Sequence, residues 1–410
     1  MKMSKFDKYF LMDVSEVAGY VEEKLQFFPA DADLECKEIG DGNLNYVFRL
    51  RDKNTGKSII VKQAGETLRI DENWHMSTDR GRIEAKILGI QGKYAPGLVP
   101  EVYLYDGTMC AMIMEDMVGH TMMRTGLMNH EIYPLFAEHI STFLVNSLLC
   151  TTDVVMEHKA KKENVKSFIN PDLCEISEDL VYSEPFINYN NRNNVFPPNA
   201  EFVQKELYED KALHLEAAKL KFQFMNNAQA LIHGDLHTGS IFINQEHTYV
   251  FDPEFAFYGP MGYDIGNVIA NMFFAWCNGE ATIEDPAEKA KFCGWIVDCI
   301  CDIVDKFIEK FKVAYAENVT DTMAKTEGFM EYYLGTVLAD TAGVAGLESI
   351  RRTVGMANNK DVTSIADPDK RARVEKILIT LAKNYIMNRE SFTSGAAYRK
   401  AIEEAIAKFS

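Results

Sequence analysis

The stretches Leu231–Ser240 (LIHGDLHTGS) and Val250–Glu254 (VFDPE) decide the fold that we expect for this chain. Each starts with apolar, strand-like residues and passes at once into polar ones. Because functional groups favour loops that a rigid scaffold holds, the polar residues after such strands are candidates for a functional site. The pattern predicts that Asp235, Asp252 and Glu254 lie at one cleft.

The chain before about residue 118 is mainly strand-like, with runs of β-branched and aromatic residues between turn signals such as Asn54–Gly56. Two helical patterns accompany these runs. The predicted strands are Leu34–Ile39, Asn45–Leu50, Ser58–Gln63, Val102–Tyr105 and Cys110–Met114, and the predicted helices are Val14–Phe28 and Thr78–Gln91. Together they predict a small α+β lobe with a five-stranded antiparallel sheet.

Beyond residue 118 the pattern becomes helical. It is clearest in Gly294–Glu317, where apolar residues recur at steps of three and four. A strand-rich lobe followed by a helical one predicts a two-lobe α+β fold with a cleft between the lobes. We place the N-terminal lobe at residues 1–114, a hinge at 115–118 and a larger, mainly helical C-terminal lobe at 119–410.

The composition narrows the range of partners. With 61 acidic and 43 basic residues the formal charge is −18, so the surface would repel phosphate groups at long range. This charge disfavours a general nucleic-acid binder and a protein that binds anionic membranes. The N-terminal residues show no apolar run of signal-peptide length, and no segment approaches ~20 uninterrupted apolar residues. We therefore expect a soluble, cytoplasmic protein that holds any phosphate with a local group of residues.

The eight cysteines include no Cys-x-x-Cys pair, and most have apolar neighbours. Free cysteine is among the most buried residue types, so we expect reduced, buried thiols. On a helix, Cys299 and Cys301 would point to different faces, which argues against a metal ion shared between them.

The two opening stretches suit phosphoryl transfer. This reaction needs divalent-metal ligands for the nucleotide phosphates and a carboxylate that takes the proton of the attacking hydroxyl. Asp252 and Glu254 suit the metal, and Asp235 suits the base.

Two alternatives compete for the same residues. The first is that the acids are ordinary loop carboxylates and that His233 and His237 cap strand ends. The second is a zincin site formed by the two histidines. That motif requires a helix with Glu after the first His, and this chain has Gly234 there, so the zinc site is disfavoured.

A further candidate is the polar turn within Ile39–Phe48 (IGDGNLNYVF), where glycines would let backbone amides approach phosphate oxygens. Such turns are common in hairpins, so this signal is weak by itself. It gains weight from Lys62, which follows an apolar run as the nucleotide-binding lysine of kinases does. Glu84 on the next predicted helix is a candidate partner of Lys62, the alternative being an exposed charged helix face.

The strand Cys110–Met114 leads into Glu115-Asp116-Met117, where the two lobes would join. Backbone groups of this segment are candidates to bind the edge of an adenine ring, with apolar side chains supporting its face. A plain strand end would give the same sequence pattern.

Four segments resemble those of the 5-methylthioribose kinase family, a branch of the protein-kinase-like superfamily that includes choline kinases and aminoglycoside phosphotransferases. The matching segments are Glu38–Phe48, His233–Ser240, Asp252–Pro260 and Arg351–Gly355. Ser240 stands where the wider superfamily usually has Asn, and Asp252-Pro253-Glu254 stands where protein kinases have Asp-Phe-Gly. Both features are similar to the methylthioribose kinase pattern, which implies the two-lobe protein-kinase-like fold.

The resemblance also implies roles for individual residues. Asp235 would be the catalytic base in contact with the substrate, and Arg351 and Arg352 would hold the substrate or the transferring phosphoryl group. Trp74 would contact the substrate from a tryptophan-containing loop. ATP and Mg²⁺ would be bound by Gly42, Asn43, Asn45, Lys62, Glu115, Asp116, Met117, Asp252, Pro253 and Glu254, with Asp252 and Glu254 as the metal ligands. A homodimer is implied as well.

These roles imply transfer of the γ-phosphoryl group of ATP to the 1-hydroxyl of 5-methylthioribose, which gives 5-methylthioribose 1-phosphate and ADP in methionine salvage. One alternative is a kinase for another small alcohol, such as choline, homoserine or an aminoglycoside. A cationic substrate would need acidic side chains in place of Arg351 and Arg352, so the arginines favour a neutral sugar. The other alternative is a nucleotide-binding pseudokinase, which would have no need of the base Asp235.

Overall fold

The computed structural model describes residues 4–39, 45–67 and 75–410. Contacts within the chain divide it into two units. The first contains the described residues of Met1–His120 together with Tyr249–Phe255, and the second contains Thr121–Thr248 and Ala256–Ser410. The segment that carries Asp252 and Glu254 therefore folds with residues far from it in the sequence.

The first unit is built around one antiparallel sheet. Its elements are α1 (Val17–Lys24), β1 (Leu34–Glu38), β2 (Asn45–Asp52), β3 (Ser58–Ala64), α2 (Asp79–Tyr94), β4 (Val102–Asp106) and β5 (Ala111–Glu115). The strands lie in the order β1-β2-β3-β5-β4, with every neighbouring pair antiparallel. The predicted five-stranded sheet with helices is thus confirmed. Helix α1 is shorter than the predicted Val14–Phe28, because Gln26 adopts a left-handed backbone (φ 52°) just after it.

Alternation along the strands determines which side chains enter the core of this unit. Phe48 of β2, Val61 of β3 and Ile113 of β5 are buried in one cluster with Tyr20 of α1. Because successive side chains of a strand point to opposite faces, Lys62 emerges on the other face of the sheet. Helix α2 packs against β3, β4 and β5.

The turn between β2 and β3 is stabilised by its own side chains. The carboxylate of Asp52 accepts hydrogen bonds from the backbone N–H of Asn54 (3.0 Å) and from the hydroxyl of Thr55 (2.7 Å). Gly56 has φ +76°, a conformation that glycine adopts without steric cost. The predicted turn at Asn54–Gly56 is therefore confirmed, and it sets the β2–β3 register that places Lys62.

The second unit is mainly helical. Its helices are α3 (Met123–Met128), α4 (Phe136–Leu149), α5 (His158–Ser167), α6 (Pro171–Leu180), α7 (Glu184–Ile187), α8 (Ala200–Val203), α9 (Lys211–Asn226), α10 (Gly262–Thr282), α11 (Pro286–Asn318), α12 (Phe329–Val354), α13 (Lys360–Thr363), α14 (Pro368–Met387) and α15 (Gly395–Ala407). The helix predicted at Gly294–Glu317 lies within α11. In the part of the chain that the structure describes, no helix has the length and apolar character needed to cross a bilayer.

Short strands of this unit flank the stretch Leu231–Ser240. They are β6 (Thr121–Met122), β7 (Ala230–Ile232), β8 (Ile241–Ile243) and β10 (Phe257–Gly259), and β9 (Thr248–Val250) runs from the second unit into the first. Strand β7 pairs antiparallel with β10, and β6 pairs antiparallel with β8. The loop between β7 and β8 is thereby held at both ends.

Helices α10 and α12 approach each other closely, and glycine makes this approach possible. A Cβ atom at Gly266 would lie 2.6 Å from the carbonyl oxygen of Thr341 and 2.7 Å from the backbone nitrogen of Ala345. One turn earlier, a Cβ at Gly262 would lie 2.5 Å from the backbone nitrogen of Thr341. This backbone contact fixes the position of α12, which carries Arg351 near its C-terminal end.

Asp340 of α12 is a buried carboxylate whose Oδ2 accepts a 2.7 Å hydrogen bond from Gln223 Nε2. Burial raises the pKa of Asp340 from 3.8 to about 7. Between these values the folded protein binds a proton that the unfolded chain does not, so Asp340 makes the protein less stable as the pH rises through this window. We expect Asp340→Asn to gain stability relative to the wild type by more than about 1 kcal/mol between pH 5 and pH 8, since one pKa unit corresponds to about 1.4 kcal/mol.

Urea unfolding of both proteins at the two pH values measures this difference. Asp369→Asn, at the exposed start of α14, is the matched control and should leave the pH dependence of unfolding unchanged. An Asp340→Asn stability difference that is the same at pH 5 and pH 8 would contradict a raised pKa for the buried carboxyl.

All eight cysteines are free. Cys277, Cys293, Cys299 and Cys301 are buried, and the other four are half-buried. Burial raises the pKa of Cys277 well above its ordinary value, so this thiol stays protonated at neutral pH. The predicted burial is thus complete for four of the eight thiols.

Candidate active site

Three carboxylates converge in the first unit. Oxygen atoms of Glu84 on α2 and of Asp252 and Glu254 after β9 lie within 4.8 Å of one another. Glu84 and Glu254 are buried and Asp252 is half-buried. Among the described residues, this is the one group of His, Cys, Asp or Glu side chains whose spacing suits a metal ion. The two predicted metal ligands therefore lie side by side.

Lys62 lies between two of these carboxylates. Its Nζ donates to Glu84 Oε1 at 2.7 Å and also to Asp252 Oδ1. Although burial disfavours the charged form, the carboxylates of Asp252 and Glu84 hold the pKa of Lys62 above its ordinary value. The lysine is thus a permanent cation at a fixed position, and Glu84 is its buried partner and no part of an exposed helix face.

Glu254 is bound by two further residues of the first unit. Asn45 Nδ2 donates a 2.8 Å hydrogen bond to Glu254 Oε2, and Arg80 Nε lies 3.6 Å from the same oxygen. Arg80 is itself buried and donates to the backbone carbonyls of Ser77 and Gly65. Burial and the neighbouring charge of Asp252 raise the pKa of Glu254. The predicted ATP-binding residue Asn45 therefore positions a carboxylate in this structure.

The backbone of Asp252 is unusual. Its φ is +66°, in the left-handed region that residues with a Cβ rarely adopt. The preceding strand is held by a 2.8 Å hydrogen bond from the Val250 N–H to the carbonyl oxygen of Leu98. Strained backbone of this kind persists where the surrounding structure fixes it, and it clusters at functional sites. Here it turns the Asp252 carboxylate toward Lys62.

The donor set of this cluster suits a hard divalent cation. Mg²⁺ prefers carboxylate oxygens as protein ligands. Within the described ranges, Lys62 and Arg80 are the cationic side chains that pair with these carboxylates. Burial raises the pKa of both Glu84 and Glu254, and a divalent ion bound to the cluster would favour their ionised forms. Asp252 and Glu254, the predicted metal ligands, are the residues that would hold the ion, with Asp252 also bound to Lys62.

The predicted hinge residues are anchored within the first unit. Glu115 accepts hydrogen bonds from the Tyr249 hydroxyl (2.9 Å) and from the Glu101 N–H (3.1 Å). Asp116 accepts two hydrogen bonds from Arg49, at 2.7 and 2.9 Å. Met117 is largely buried. The side chains of Glu115 and Asp116 thus hold the segment in place through hydrogen bonds within the protein. If this segment binds adenine, as predicted, its backbone groups would make the contacts.

In the second unit, Asp264 holds the loop that carries Asp235. The two carboxylate oxygens of this buried residue accept hydrogen bonds from the backbone N–H groups of His233 (2.7 Å) and Gly234 (3.0 Å). Gly234 has φ +83°, so the turn requires a residue without a Cβ. These bonds orient the backbone directly before Asp235.

Asp235 faces three nitrogen-bearing side chains. Its Oδ1 lies 3.5 Å from Arg352 and 3.7 Å from Arg351, and its Oδ2 lies 3.4 Å from His237 Nε2. Burial opposes ionisation, but His237 and the two arginines hold the pKa of Asp235 well below its usual range. The carboxylate is therefore ionised at any working pH and able to accept a hydrogen bond from a hydroxyl group.

The hydrogen bonds of His237 indicate a neutral ring that can donate a proton from Nε2 to a hydrogen bond with Asp235. Its Nδ1 accepts a 3.0 Å hydrogen bond from the Gly239 N–H, so the ring proton belongs on Nε2, which faces Asp235. Burial lowers the pKa of His237 although Asp235 opposes the shift. The hydroxyl of Ser240 donates to the Asp235 carbonyl oxygen at 3.1 Å. The histidine therefore orients the carboxylate as well as the loop.

Glu348 connects the two arginines. It is fully buried on α12, with Oε2 3.0 Å from Arg351 Nε and Oε1 2.9 Å from Arg352 Nε. Residues three and four positions apart share a helix face, so one carboxylate reaches both guanidinium groups. Glu348 holds the Nε side of each fork and leaves the outer nitrogens directed at Asp235.

The predicted site residues divide between the two units. The first unit brings together Asn45, Lys62, Asp252 and Glu254, and the second brings together Asp235, Arg351 and Arg352. Pro253 lies in the short segment between the two metal-ligand candidates. Three predicted residues, Gly42, Asn43 and Trp74, lie outside the described part of the chain.

Sequence reasoning did not identify Glu348, Asp264 or the buried role of Arg80. A signal for Glu348 was available, because its spacing to Arg351 and Arg352 is that of a helical ion-pair cluster. For Asp264 and Arg80 the sequence has no comparable signal, since their partners lie on segments distant in the sequence.

Comparisons of the whole chain with known proteins show which family it belongs to. The profile of the phosphotransferase enzyme family matches residues 35–292. A methylthioribose kinase from a Geobacillus species is 38% identical over 384 residues, which cover 93% of this chain and 93% of that protein. Methylthioribose kinases of Bacillus pumilus (38%, covering 88% and 89%) and Bacillus cereus (37%, covering 97% and 98%) are similar over comparable lengths.

Proposed function

Since this chain belongs to the methylthioribose kinase family, and with it to the phosphotransferase enzymes, we propose that it transfers the γ-phosphoryl group of ATP to the 1-hydroxyl of 5-methylthioribose. The observation that carries the proposal is Asp235, an ionised carboxylate flanked by Arg351 and Arg352. A carboxylate in this setting can accept the hydroxyl proton, and fixed guanidinium groups suit a substrate that becomes a phosphate ester.

In this proposal the first unit binds the nucleotide. Asp252 and Glu254 would hold Mg²⁺, which when bound neutralises charge on the β- and γ-phosphates. Lys62, fixed by Glu84, would contact phosphate oxygens, as its position after an apolar strand suggests. The backbone of Glu115–Met117 would bind adenine. Gly42 and Asn43, from the segment whose sequence predicts a turn with glycines, would approach the phosphates.

The second unit would supply the base and the acceptor-binding groups. Asp235 orients the 1-hydroxyl and takes its proton as the sugar oxygen forms a bond to the γ-phosphorus. The bond between the γ-phosphorus and the bridging oxygen of ATP breaks, and ADP leaves with that electron pair. His237 and Ser240 keep the carboxylate and its loop in place. Trp74, which is not among the described residues, would also contact the substrate.

The charge of the acceptor site supports a neutral sugar. Arg351 and Arg352 together with Glu348 and Asp235 give two positive and two negative groups, which leaves no excess negative charge to attract a cationic amine. Choline or an aminoglycoside would therefore bind poorly. A homodimer, a cytoplasmic location and a place in methionine salvage stay predictions from the family resemblance.

A panel of acceptors tests the substrate. Purified protein is incubated with ATP, Mg²⁺ and either methylthioribose, choline, homoserine or kanamycin, and ADP release is measured. We expect turnover with methylthioribose and at most background with the others. Strong activity with another member and none with methylthioribose would overturn the assignment. ADP release from none of them would favour the pseudokinase alternative.

Replacing Glu348 with Gln tests how the arginine pair is held. The amide of Gln carries no charge to bind Arg351 and Arg352, so the guanidinium groups of both arginines become more mobile. We expect KM for the sugar to rise about tenfold, the equivalent of about 1.4 kcal/mol, with KM for ATP unchanged. Glu331→Gln, at the exposed first turn of the same helix, is the matched control and should keep both constants. Equal constants in the two variants would remove Glu348 from this role.

A further inference from the structure

A third arginine of the second unit, Arg124, lies beside the backbone of the Asp235 loop. Arg124 belongs to the short helix α3. A Cβ atom at Gly239 would lie 3.2 Å from Cζ of Arg124 and 2.8 Å from Cε1 of His237. The Arg124 guanidinium therefore lies over the backbone of the Asp235 loop, next to the imidazole whose Nε2 is 3.4 Å from Asp235.

The donors of Arg124 are not fully used within the protein. Its Nε is buried and has no hydrogen-bond partner among the described residues, and its charged partner Asp361 is 3.8 Å away, too far for a hydrogen bond. Asp361 is 1% exposed, and neither of its carboxylate oxygens has a hydrogen-bond partner. Among the described residues the two side chains thus form an ion pair without a hydrogen bond. The Arg124 side chain is partly exposed, so its terminal nitrogens are open to a ligand.

Arg124 is also the most accessible of the three arginines. Its side chain is 21% exposed, compared with 12% for Arg351 and 12% for Arg352. Glu348 lies 3.0 Å from Arg351 Nε and 2.9 Å from Arg352 Nε, whereas the carboxylate paired with Arg124 in the described part of the chain, that of Asp361, is 3.8 Å away. Burial and the nearby positive charge of Arg352 lower the pKa of Arg124, while Asp361 and Asp235 oppose the shift. An anion bound beside Arg124 and Arg352 would offset this unfavourable interaction between like charges.

The charge balance changes during the proposed reaction. Before it, the guanidinium groups of Arg124, Arg351 and Arg352 are offset by three carboxylates, those of Asp235, Glu348 and Asp361. While Asp235 holds the hydroxyl proton during the transfer, one carboxylate charge is lost and a guanidinium charge is left without compensation. The 1-oxygen of the sugar, which gave up this proton, is now bonded to the phosphate. The phosphate of the product therefore forms beside the uncompensated guanidinium charge.

We propose that Arg124 binds the phosphate of the sugar phosphate formed beside Asp235, together with Arg351 and Arg352, and that Asp361 positions Arg124. This inference rests on the proposed function, because the anion is the product of that reaction. Arginine suits the role, since its planar fork can donate two parallel hydrogen bonds to a phosphate. Asp361 acts only through Arg124, because its carboxylate is enclosed in the protein.

Four variants test the proposal: Arg124→Ala, Arg124→Lys, Asp361→Asn and, as the matched control, Arg399→Ala. Arg399 forms an exposed ion pair with Asp298 on the same unit. We expect Arg124→Ala to lower kcat about 100-fold, the loss typical of removing one fixed donor to a developing anion. KM for ATP should stay unchanged. Arg124→Lys keeps the positive charge but lacks the two-pronged guanidinium group, so its kcat should lie between those of the wild type and Arg124→Ala. The kcat of Arg399→Ala should equal that of the wild type.

Two further readouts separate a binding role from a structural one. Millimolar guanidinium chloride should restore part of the activity of Arg124→Ala, because the added cation can occupy the vacated place. Asp361→Asn should lower kcat when Arg124 is present and have no added effect in the Arg124→Ala background. An Arg124→Ala enzyme as active as Arg399→Ala, or a folded but impaired one that guanidinium does not restore, would overturn the proposal.

Binding of inorganic phosphate to the protein without nucleotide keeps this test independent of the proposed function. We expect the dissociation constant of phosphate to rise on the order of tenfold in Arg124→Ala relative to Arg399→Ala, as for loss of a charge-assisted bidentate contact. Should the wild type fail to phosphorylate methylthioribose, the proposed function fails and the phosphate titration still decides on Arg124. Equal phosphate affinity in the two variants would exclude Arg124 from the anion site.

Discussion

Asp235→Asn should lower kcat by a factor of about 1000 or more, within the range that general acid–base catalysis contributes when the base is lost. The amide cannot take the proton of the attacking hydroxyl, and it no longer offsets the charges of Arg351 and Arg352. Binding of ATP should stay within about twofold of the wild type, because the residues proposed to hold the nucleotide belong to the other unit.

Single-turnover kinetics and a separate ATP-binding titration measure these two effects. Asp298→Asn, an exposed aspartate that pairs with Arg399 on the second unit, is the matched control and should turn over normally. Near-normal turnover of Asp235→Asn would remove Asp235 from the role of base. A large loss of ATP affinity in the same variant would show that Asp235 serves the nucleotide, contrary to the proposal.

Asp252→Asn should have the second large effect, a loss of activity of about 100-fold or more at physiological Mg²⁺ concentration, because electrostatic stabilisation of the transferring group depends on the metal. An amide is a weaker ligand for a hard cation than a carboxylate. The variant also frees Lys62 from one of its two partners. We expect higher Mg²⁺ concentrations to recover part of the activity.

The activity of this variant is measured as a function of Mg²⁺ concentration, with chelation by EDTA as the zero point. Asp33→Asn is the matched control, since Asp33 is an exposed aspartate of the first unit that pairs with Lys53. A Mg²⁺ dependence identical to that of the wild type, together with full activity, would exclude Asp252 as a metal ligand.

The sequence predicted the sheet of the first unit well because its signals are local. The turn Asn54–Gly56 and the strand-like runs around it depend on neighbouring residues, and these formed as expected. The predicted end of α1 was wrong by several residues, since the left-handed backbone of Gln26 has no clear sequence signal. Element ends depend on tertiary contacts that local pattern does not contain.

Residues of the candidate site could be predicted where a chemically suitable side chain directly follows a recognisable strand. Asp235 and Asp252 follow apolar strands and so were found, and the pairing of Lys62 with Glu84 was one of two interpretations left open. Arg80 and Asp264 were not found, because each acts on a partner brought near only by folding. Arg124 was missed for the same reason, as its neighbours come from α13 and from the Asp235 loop.

The most direct test of the central claim is a ³¹P NMR spectrum of the reaction of purified protein with ATP, Mg²⁺ and 5-methylthioribose. We expect one new phosphate-monoester signal that couples to the anomeric proton of the sugar, with an equal amount of ADP, and neither signal with Asp235→Asn. A phosphate attached at another position, the same product from Asp235→Asn, or unchanged ATP with the wild type would contradict the claim that Asp235 directs phosphorylation of the 1-hydroxyl.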